Sequence, residues 1–183
     1  ICENTIPTDL QVSASGGMTG ATFTYQWYSN TVNSNSGGTQ ILGATNSTYT
    51  PSTVASATTY YYCVVQQNNG NSGCETVSNT AEVIVTPGPS FNTQPQDIQV
   101  CEGANISALT VNYINGVGTP SYQWYANTVD NNTTGTQIIG EINPTYTPPT
   151  TSPATTYYYC TITLNGGGCP QIVSNTAEVI VYP

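Results

Sequence analysis

Thr24-Tyr25-Gln26-Trp27-Tyr28 is the stretch from which the architecture of this 183-residue chain can be worked out. The cysteine of Tyr60-Tyr61-Tyr62-Cys63 lies 36 residues after its tryptophan. Both runs return as Ser121-Tyr122-Gln123-Trp124-Tyr125 and Tyr157-Tyr158-Tyr159-Cys160, with the same separation of 36 residues. The chain therefore contains two copies of one unit, in which a tryptophan strand and a Tyr-x-Cys strand keep a constant separation.

Side chains alternate between the two faces of a β-strand, and this alternation indicates which residues form the core. Trp27 and Tyr61 are predicted to point inward in the first copy, and Trp124 and Tyr158 in the second. The inward tyrosine stands two residues before the cysteine, which is the tyrosine-corner position of immunoglobulin-like sandwiches. The sequence therefore predicts an all-β chain of two tandem immunoglobulin-like β-sandwich domains.

The two copies predict a first domain at residues 1–87 and a second at residues 88–183, each large enough to bury its own core. Ile1-Cys2-Glu3 corresponds to Val100-Cys101-Glu102, which in the second copy follows a run at residues 91–99. That run contains a proline and is typical of an edge strand, so the first domain lacks its first strand. The short linker Thr86-Pro87-Gly88-Pro89-Ser90 predicts a semi-rigid joint between domains stacked end to end.

The charge of the chain excludes one class of partner. It has no Lys, Arg or His against nine Asp and Glu, which gives a net charge of −9. Nucleic acids and anionic lipids attract proteins through cationic side chains, so we expect neither nucleic-acid binding nor attraction to an anionic membrane. The sequence also contains no hydrophobic span, so we expect no membrane insertion.

The same composition argues against an enzyme. Without His or Lys there is no base for a serine or cysteine nucleophile, and the carboxylates are too dispersed to predict a glycosidase pair. We therefore expect no enzymatic activity and no cofactor. A bound calcium ion is more plausible because calcium takes hard oxygen ligands, and the best candidate pairs are Glu102 with Asp97 and Glu3 with Asp9. Solvated surface carboxylates are the simpler interpretation.

Six cysteines in a short β-patterned chain predict disulfides rather than a metal site. One arrangement pairs Cys2 with Cys74 and Cys101 with Cys169, and leaves Cys63 and Cys160 as buried thiols. A second pairs Cys63 with Cys74 and Cys160 with Cys169. A third is interdomain or intermolecular, for instance Cys2 with Cys169. The first is slightly preferred, but sequence alone does not choose among them.

Two tyrosines flank the inward tyrosine of each Tyr-x-Cys strand. Tyr60 and Tyr62 in the first copy, and Tyr157 and Tyr159 in the second, are predicted to point outward. Aromatic faces beside Asn and Thr are typical of a glycan-contacting surface, so these tyrosines are candidate glycan contacts. Tyrosine is also simply a good strand residue, and that interpretation is favoured.

The ordered set of motifs resembles a known kind of repeat. Its elements are Cys-Glu, Tyr-Gln-Trp-Tyr-x-Asn-Thr, Gly-Thr-Gln-Ile-x-Gly, Thr-Tyr-Thr-Pro, Ala-Thr-Thr-Tyr-Tyr-Tyr-Cys and Ser-Asn-Thr-Ala-x-Val-x-Val. This set is similar to the tandem immunoglobulin-like repeats of giant bacterial surface adhesins, with the SprB-type gliding-motility adhesins exported by the type IX secretion system as the nearest comparison. The resemblance implies an extracellular, cell-surface filament that grips external surfaces, often polysaccharide.

Two hypotheses of different class follow. The first is a structural repeat segment of such an adhesin or filament, which acts as a stiff spacer and associates with copies of itself or with adjacent repeats. The second is a carbohydrate-binding module that holds surface polysaccharide with its polar loops and outward tyrosines.

Overall fold

The structure is a computed structural model that describes residues 1–17, 20, 22–68 and 74–183. Within these ranges every regular element is a β-strand. The chain forms two compact units, one made of Ile1 and Glu3–Thr86 and the other of Cys2 and Pro87–Pro183. In the described residues, no helix is long and apolar enough to cross a membrane.

The first unit is built around a long central strand. Its strands are β1 (Leu10–Gln11), β2 (Thr22–Asn30), β3 (Thr39–Gln40), β4 (Thr48–Tyr49), β5 (Ala57–Asn68), β6 (Glu75–Val77) and β7 (Ala81–Val85). The main sheet has the order β3-β2-β5, and both β6 and β7 pair along the other edge of β5. The second sheet is the antiparallel pair of β1 and β4.

The second unit repeats this arrangement with three additional strands. Its strands are β8 (Ser90–Thr93), β9 (Ile98–Cys101), β10 (Leu109–Thr110), β11 (Asn112–Ile114), β12 (Thr119–Asn127), β13 (Thr136–Gln137), β14 (Thr145–Tyr146), β15 (Ala154–Asn165), β16 (Ile172–Val173) and β17 (Ala177–Tyr182). The additional strands are β8, β9 and β11. The main sheet has the order β13-β12-β15-β17-β9, with β16 also beside β15. β10 pairs with β14 and β8 with β11 in the opposing layer. Both units are immunoglobulin-like sandwiches, as the sequence predicted.

The run at residues 91–99 differs from the single edge strand that was expected. It divides into β8 and β9, and Pro95 lies between them. β8 pairs with β11, whereas β9 runs parallel to β17 in the main sheet. Because proline has no N–H to donate, the ladder is interrupted where the chain crosses from one sheet to the other.

The predicted tryptophans lie at the centre of both cores. Trp27 is 3% exposed and stands opposite Cys63, and Trp124 is fully buried and stands opposite Cys160. Each indole N–H donates a 2.9 Å hydrogen bond to a backbone carbonyl, that of Asn46 or its counterpart in the second unit. The polar atom of each buried indole is therefore satisfied.

The inward tyrosines pack against a tyrosine of the opposing layer. The rings of Tyr61 and Tyr49 are 5.5 Å apart, and those of Tyr158 and Tyr146 are 5.4 Å apart. Burial raises the pKa of Tyr146 to about 12. These contacts join the two sheets of each unit.

The second core is the larger one among the described residues. In the first unit the buried cluster consists of Trp27, Tyr61, Cys63 and Val65. The second unit buries the counterparts of these residues and adds aliphatic side chains, including Val111, Val179 and Val181. Ile98 and Val100 of β9 also pack against this core. Since buried apolar area stabilises a fold by about 25 cal/mol per Å², the second unit gains more from its core.

Candidate functional site

Tyr60 and Tyr157 are half-buried and hold a carboxylate on the neighbouring strand. Tyr60 lies opposite Glu82, and its hydroxyl donates a 2.8 Å hydrogen bond to Glu82 Oε1. Tyr157 and Glu178 form the same pair at the same distance. The hydrogen bond to the carboxylate raises the pKa of both phenols, which stay protonated as donors. These two tyrosines keep part of their surface in solvent.

Tyr62 and Tyr159 require a correction. They point away from the core, as predicted, but they are only 4% and 3% exposed, so neither offers a face to a glycan. Each ring stacks on the last tyrosine of the Tyr-Gln-Trp-Tyr motif, at 5.2 Å for Tyr28 and 5.0 Å for Tyr125. Strand periodicity reports which way a side chain points and gives no information on what later covers it.

Tyr62 and Tyr159 are covered by the polar loop that follows the tryptophan strand, β2 in the first unit and β12 in the second. The backbone N–H of Gly38 donates a 3.0 Å hydrogen bond to the hydroxyl of Tyr62, and Gly135 does the same to Tyr159. A Cβ at Gly38 would lie 2.7 Å from the carbonyl oxygen of Ser29, and a Cβ at Gly135 would lie 2.7 Å from the Tyr159 ring. The glycine of the Gly-Thr-Gln-Ile motif is therefore required by this close approach.

The same loop is attached to the start of the last strand. Asn35 Nδ2 donates a 3.0 Å hydrogen bond to the carbonyl of Ser78, and Asn132 Nδ2 donates one of 2.8 Å to Ser174. The loop is rich in Asn, Ser, Thr and Gly. Much of it is exposed, but these amide contacts hold it against the sandwich in both units.

A glutamine pair occupies the outer face of each main sheet. Gln26 Nε2 donates to the carbonyls of Trp27 and Ile41, and its Oε1 accepts a 2.9 Å hydrogen bond from Gln40. Gln123 and Gln137 repeat the pair at 2.7 Å. In the first unit this glutamine pair lines a shallow polar recess. The recess residues are Thr24, Tyr25, Gln26, Tyr28, Gln40, Val64, Gln66 and Glu75.

Three of the four carboxylates considered for calcium have protein hydrogen-bond partners. Glu3 Oε1 accepts a 2.6 Å hydrogen bond from the N–H of Ser56, and Asp9 accepts one from the hydroxyl of Thr50. Asp97 accepts one from the N–H of Glu178. Over the part of the chain that the structure describes, no three His, Cys, Asp or Glu side chains form a group able to hold a metal. Calcium binding stays a prediction based on charge.

The cysteines pair in one of the three ways considered. Cys2 is bonded to Cys169, with their Cα atoms 5.1 Å apart, so the preferred Cys2–Cys74 and Cys101–Cys169 pairs do not form. Of the other four, Cys63 and Cys160 are fully buried thiols. Cys74 and Cys101 are exposed thiols.

Burial keeps two of these thiols unreactive. It raises the pKa of the Cys63 thiol, and it raises the pKa of Cys160 to about 12. The thiolate is the nucleophilic form of cysteine, so these groups are inert at neutral pH.

The sequence matches the family described as Domain of unknown function (DUF8696) over residues 1–87 and again over residues 91–183. The chain belongs to this family. Its two DUF8696 repeats therefore share the features described above because they are copies of one family domain. No curated protein matches the sequence.

Solved structures similar to the two DUF8696 repeats are immunoglobulin-domain arrays. One is the N-terminal eight Ig domains of Down Syndrome Cell Adhesion Molecule isoform 1.30.30, with 13% identity over 96% of this chain and a TM-score of 0.47. Another is Drosophila OTK extracellular domains 3-5, with 18% identity over 88% of this chain and a TM-score of 0.48. The chain spans 22% and 52% of the length of these two structures. At such identities the likeness concerns the fold alone.

One polar contact common to both DUF8696 repeats was not anticipated from the sequence. The hydroxyl of Ser78 accepts a 2.9 Å hydrogen bond from the N–H of Cys63 and donates to the carbonyl of Asn79, and Ser174 makes the same two bonds. Ser174 is fully buried. The unchanged Ser-Asn-Thr-Ala motif was the available signal, because a loop that merely connects strands has no need of an identical serine.

Proposed function

We propose that this chain is a structural repeat segment of an extracellular bacterial adhesin or filament, and that it acts as a stiff spacer rather than as a catalyst. The observation that carries the proposal is the repeated domain: residues 1–87 and 91–183 match the same family, and each unit buries its tryptophan opposite its strand cysteine.

The bonding of the linker residues supports the same proposal. Thr86 exchanges backbone hydrogen bonds of 2.9 Å with Ile1 and Glu3 in the first unit. The next residue, Pro87, accepts a 3.0 Å hydrogen bond from the N–H of Gly116 in the second unit. Pro89 lies close to Gly116 as well. Thr86 and Pro87, which are consecutive, are therefore each bonded within their own unit.

Assignment to a gliding-motility adhesin exported by the type IX system rests on the motif resemblance. The composition fits that assignment: with no Lys, Arg or His, the chain offers no cationic side chain for nucleic acid or anionic lipid, and no His or Lys to act as a general base. A cell-surface location and association with further repeats are parts of this proposal.

Spacer stiffness can be measured with a pair of spin labels. Leu42 and Ile139 occupy equivalent positions and are 89% and 92% exposed, so both can be replaced by cysteine with little cost. In a background of Cys74→Ser and Cys101→Ser, we expect a narrow distribution of label distances. Replacing Pro87 and Pro89 with glycine should broaden the distribution. An equally broad distribution in the unaltered linker would contradict the spacer function.

A carbohydrate-binding role is the second candidate. It is favoured by the polar recess beside Gln26 and by the half-exposed rings of Tyr60 and Tyr157. Sugar hydroxyls suit such amide and phenol groups, and pyranose rings stack on aromatic faces. Titration with polysaccharide fragments tests this role: saturable binding that is lost in Tyr60→Ala with Tyr157→Ala would support it, and absence of binding would leave the spacer.

A further inference from the structure

The Cys2–Cys169 disulfide joins two positions of the repeat, and each position has a counterpart elsewhere in the chain. Cys2 precedes Glu3 as Cys101 precedes Glu102, and Cys74 lies before the last strand of its repeat as Cys169 does. Both counterparts, Cys74 and Cys101, are exposed free thiols. The two positions that are bonded to each other as Cys2 and Cys169 are therefore both unpaired where they occur as Cys101 and Cys74.

The backbone holds Cys101 as it holds Cys2. Glu3 donates its N–H to the carbonyl of Thr86 at 2.9 Å, and Glu102 donates to Tyr182 at 2.7 Å. The next residues also match, since Asn4 donates to Thr53 at 2.9 Å and Gly103 donates to Thr150 at 2.8 Å. Asn4 and Gly103 both have a positive φ, 59° and 75°. Each cysteine is thus presented on the same kind of turn.

Cys74 and Cys169 are likewise placed alike. Each follows the longest strand of its repeat and precedes a short strand that pairs back onto it, β6 in the first unit and β16 in the second. The carbonyl of Cys74 accepts a 3.0 Å hydrogen bond from the N–H of Gln67, which holds the residue at the base of this hairpin. By its place between these two strands, Cys74 corresponds in the first unit to the cysteine that bonds to Cys2 in the second.

The two remaining cysteines are poor partners for such a bond. Cys63 and Cys160 are fully buried, and the N–H of each is held by a serine hydroxyl. A disulfide partner must approach with its Cα about 5 to 6 Å away, which the core residues around these thiols prevent. Pairing is thus left to Cys74 and Cys101.

We propose that Cys101 forms a disulfide with the Cys74 position of another two-repeat segment, repeating between segments the link that Cys2 and Cys169 make. Two thiols form the bond by losing two protons and two electrons to a disulfide oxidant, which is reduced to two thiols. The link is heterologous, because each copy uses a different cysteine on its two sides. Such a contact propagates in one direction and builds a covalent filament. This inference rests on the proposed spacer function. It adds that the partner is a further copy of the repeats and that the link is a disulfide.

The copy that supplies the partner could be a neighbouring repeat of a longer chain or a second molecule. The chemistry is the same, and the two-repeat chain can reveal it because only a second molecule is then available. Incubation with a glutathione redox buffer should give a ladder of multimers on a non-reducing gel. A salt concentration of about 0.15 M is needed, since it screens the repulsion between copies of net charge −9. Chymotryptic mapping should find Cys74 joined to Cys101.

Two matched variants make the test specific. The ladder of multimers should be lost in both Cys74→Ser and Cys101→Ser, because each variant keeps only one of the two cysteines that form the link. Mixed together, they should give a single heterodimer, with no longer product. A Cys74–Cys74 or Cys101–Cys101 bond as the main product, a bond between these residues within one chain, or the absence of any ladder would overturn the proposal.

Failure of this inference is distinguishable from failure of the spacer function. The spin-label distances are measured on monomers that lack both exposed thiols, so they report on stiffness alone. A narrow distance distribution without a ladder overturns only the intermolecular disulfide. A broad distribution overturns the spacer.

Discussion

The hydroxyl oxygen of Tyr159 accepts a 3.0 Å hydrogen bond from the backbone N–H of Gly135, and the ring is 3% exposed. Tyr159→Phe removes the acceptor and leaves this N–H without its partner. We expect a loss of about 0.5–1.5 kcal/mol in the free energy of unfolding, measured by urea denaturation. Tyr182→Phe is the control, because that ring is 46% exposed and its hydroxyl is 3.3 Å from Gln99. Equal losses in the two variants would contradict the role given to the buried phenol.

Gly135→Ala tests the close approach of the loop to the same ring. The added Cβ would lie 2.7 Å from Cε1 of Tyr159 and 3.0 Å from the carbonyl oxygen of Ala126, so loop or ring must move. We expect destabilisation by about 1–3 kcal/mol, as for other overpacked sites. Gly88→Ala should be nearly neutral, since no atom lies within 4 Å of its Cβ position. A neutral Gly135→Ala would show that the loop does not rest on Tyr159.

Thiol labelling should divide the free cysteines into two classes. Cys74 and Cys101 are exposed, whereas Cys63 and Cys160 are buried with a raised pKa. At pH 8 we expect the exposed pair in monomeric protein to react rapidly with an aromatic disulfide reagent, and the buried pair to react only after urea is added. Mass mapping of the labelled peptides assigns each site. Rapid native labelling of Cys160 would contradict the buried environment.

Much of the fold was predictable because it depends on local periodicity. The period of two along the Tyr-Gln-Trp-Tyr and Tyr-x-Cys strands placed Trp27 and Tyr61 in the core, where they lie. The constant separation of tryptophan and cysteine corresponds to a real register, since Trp27 stands opposite Cys63 and Trp124 opposite Cys160. Patterns of this kind can be recognised in the sequence without knowledge of the rest of the structure.

The candidate site was less predictable because it depends on contacts between distant polar residues. Tyr62 is covered through Gly38, and the loop that carries this glycine is fixed by Asn35 on Ser78. Amide contacts of this kind leave no periodic signal in a chain rich in Asn and Ser. The pairing of the cysteines was not predictable either. Spacing alone allows several pairings, and only the fold brings Cys2 to Cys169.

The first unit should unfold before the second. Its buried cluster is smaller among the described residues, and only residues 1–3, which bond to Thr86, stand where the whole strand β9 stands beside β17. We expect hydrogen exchange in increasing urea to expose peptides from β5 at a lower concentration than peptides from β15. Single-step exchange of both strands would indicate instead that the units unfold as one cooperative block.

Alkaline pH should destabilise the second unit at a predictable onset. Burial raises the pKa of the Cys160 thiol from 9.0 to about 12, and that of the Tyr146 phenol from 10.0 to about 12. A group whose pKa is raised on folding keeps its full contribution below its unfolded pKa, and the contribution falls between the unfolded and folded values. The free energy of unfolding should therefore be constant up to about pH 9 and should decline towards pH 12. Cys63 also has a raised pKa, so the comparison is made in a Cys63→Ala background, where Cys160→Ala should move the start of the decline to nearer pH 10. Urea denaturation at unit steps of pH, followed by circular dichroism, measures both onsets, and a variant that declines from the same pH as the parent would refute the assignment to Cys160.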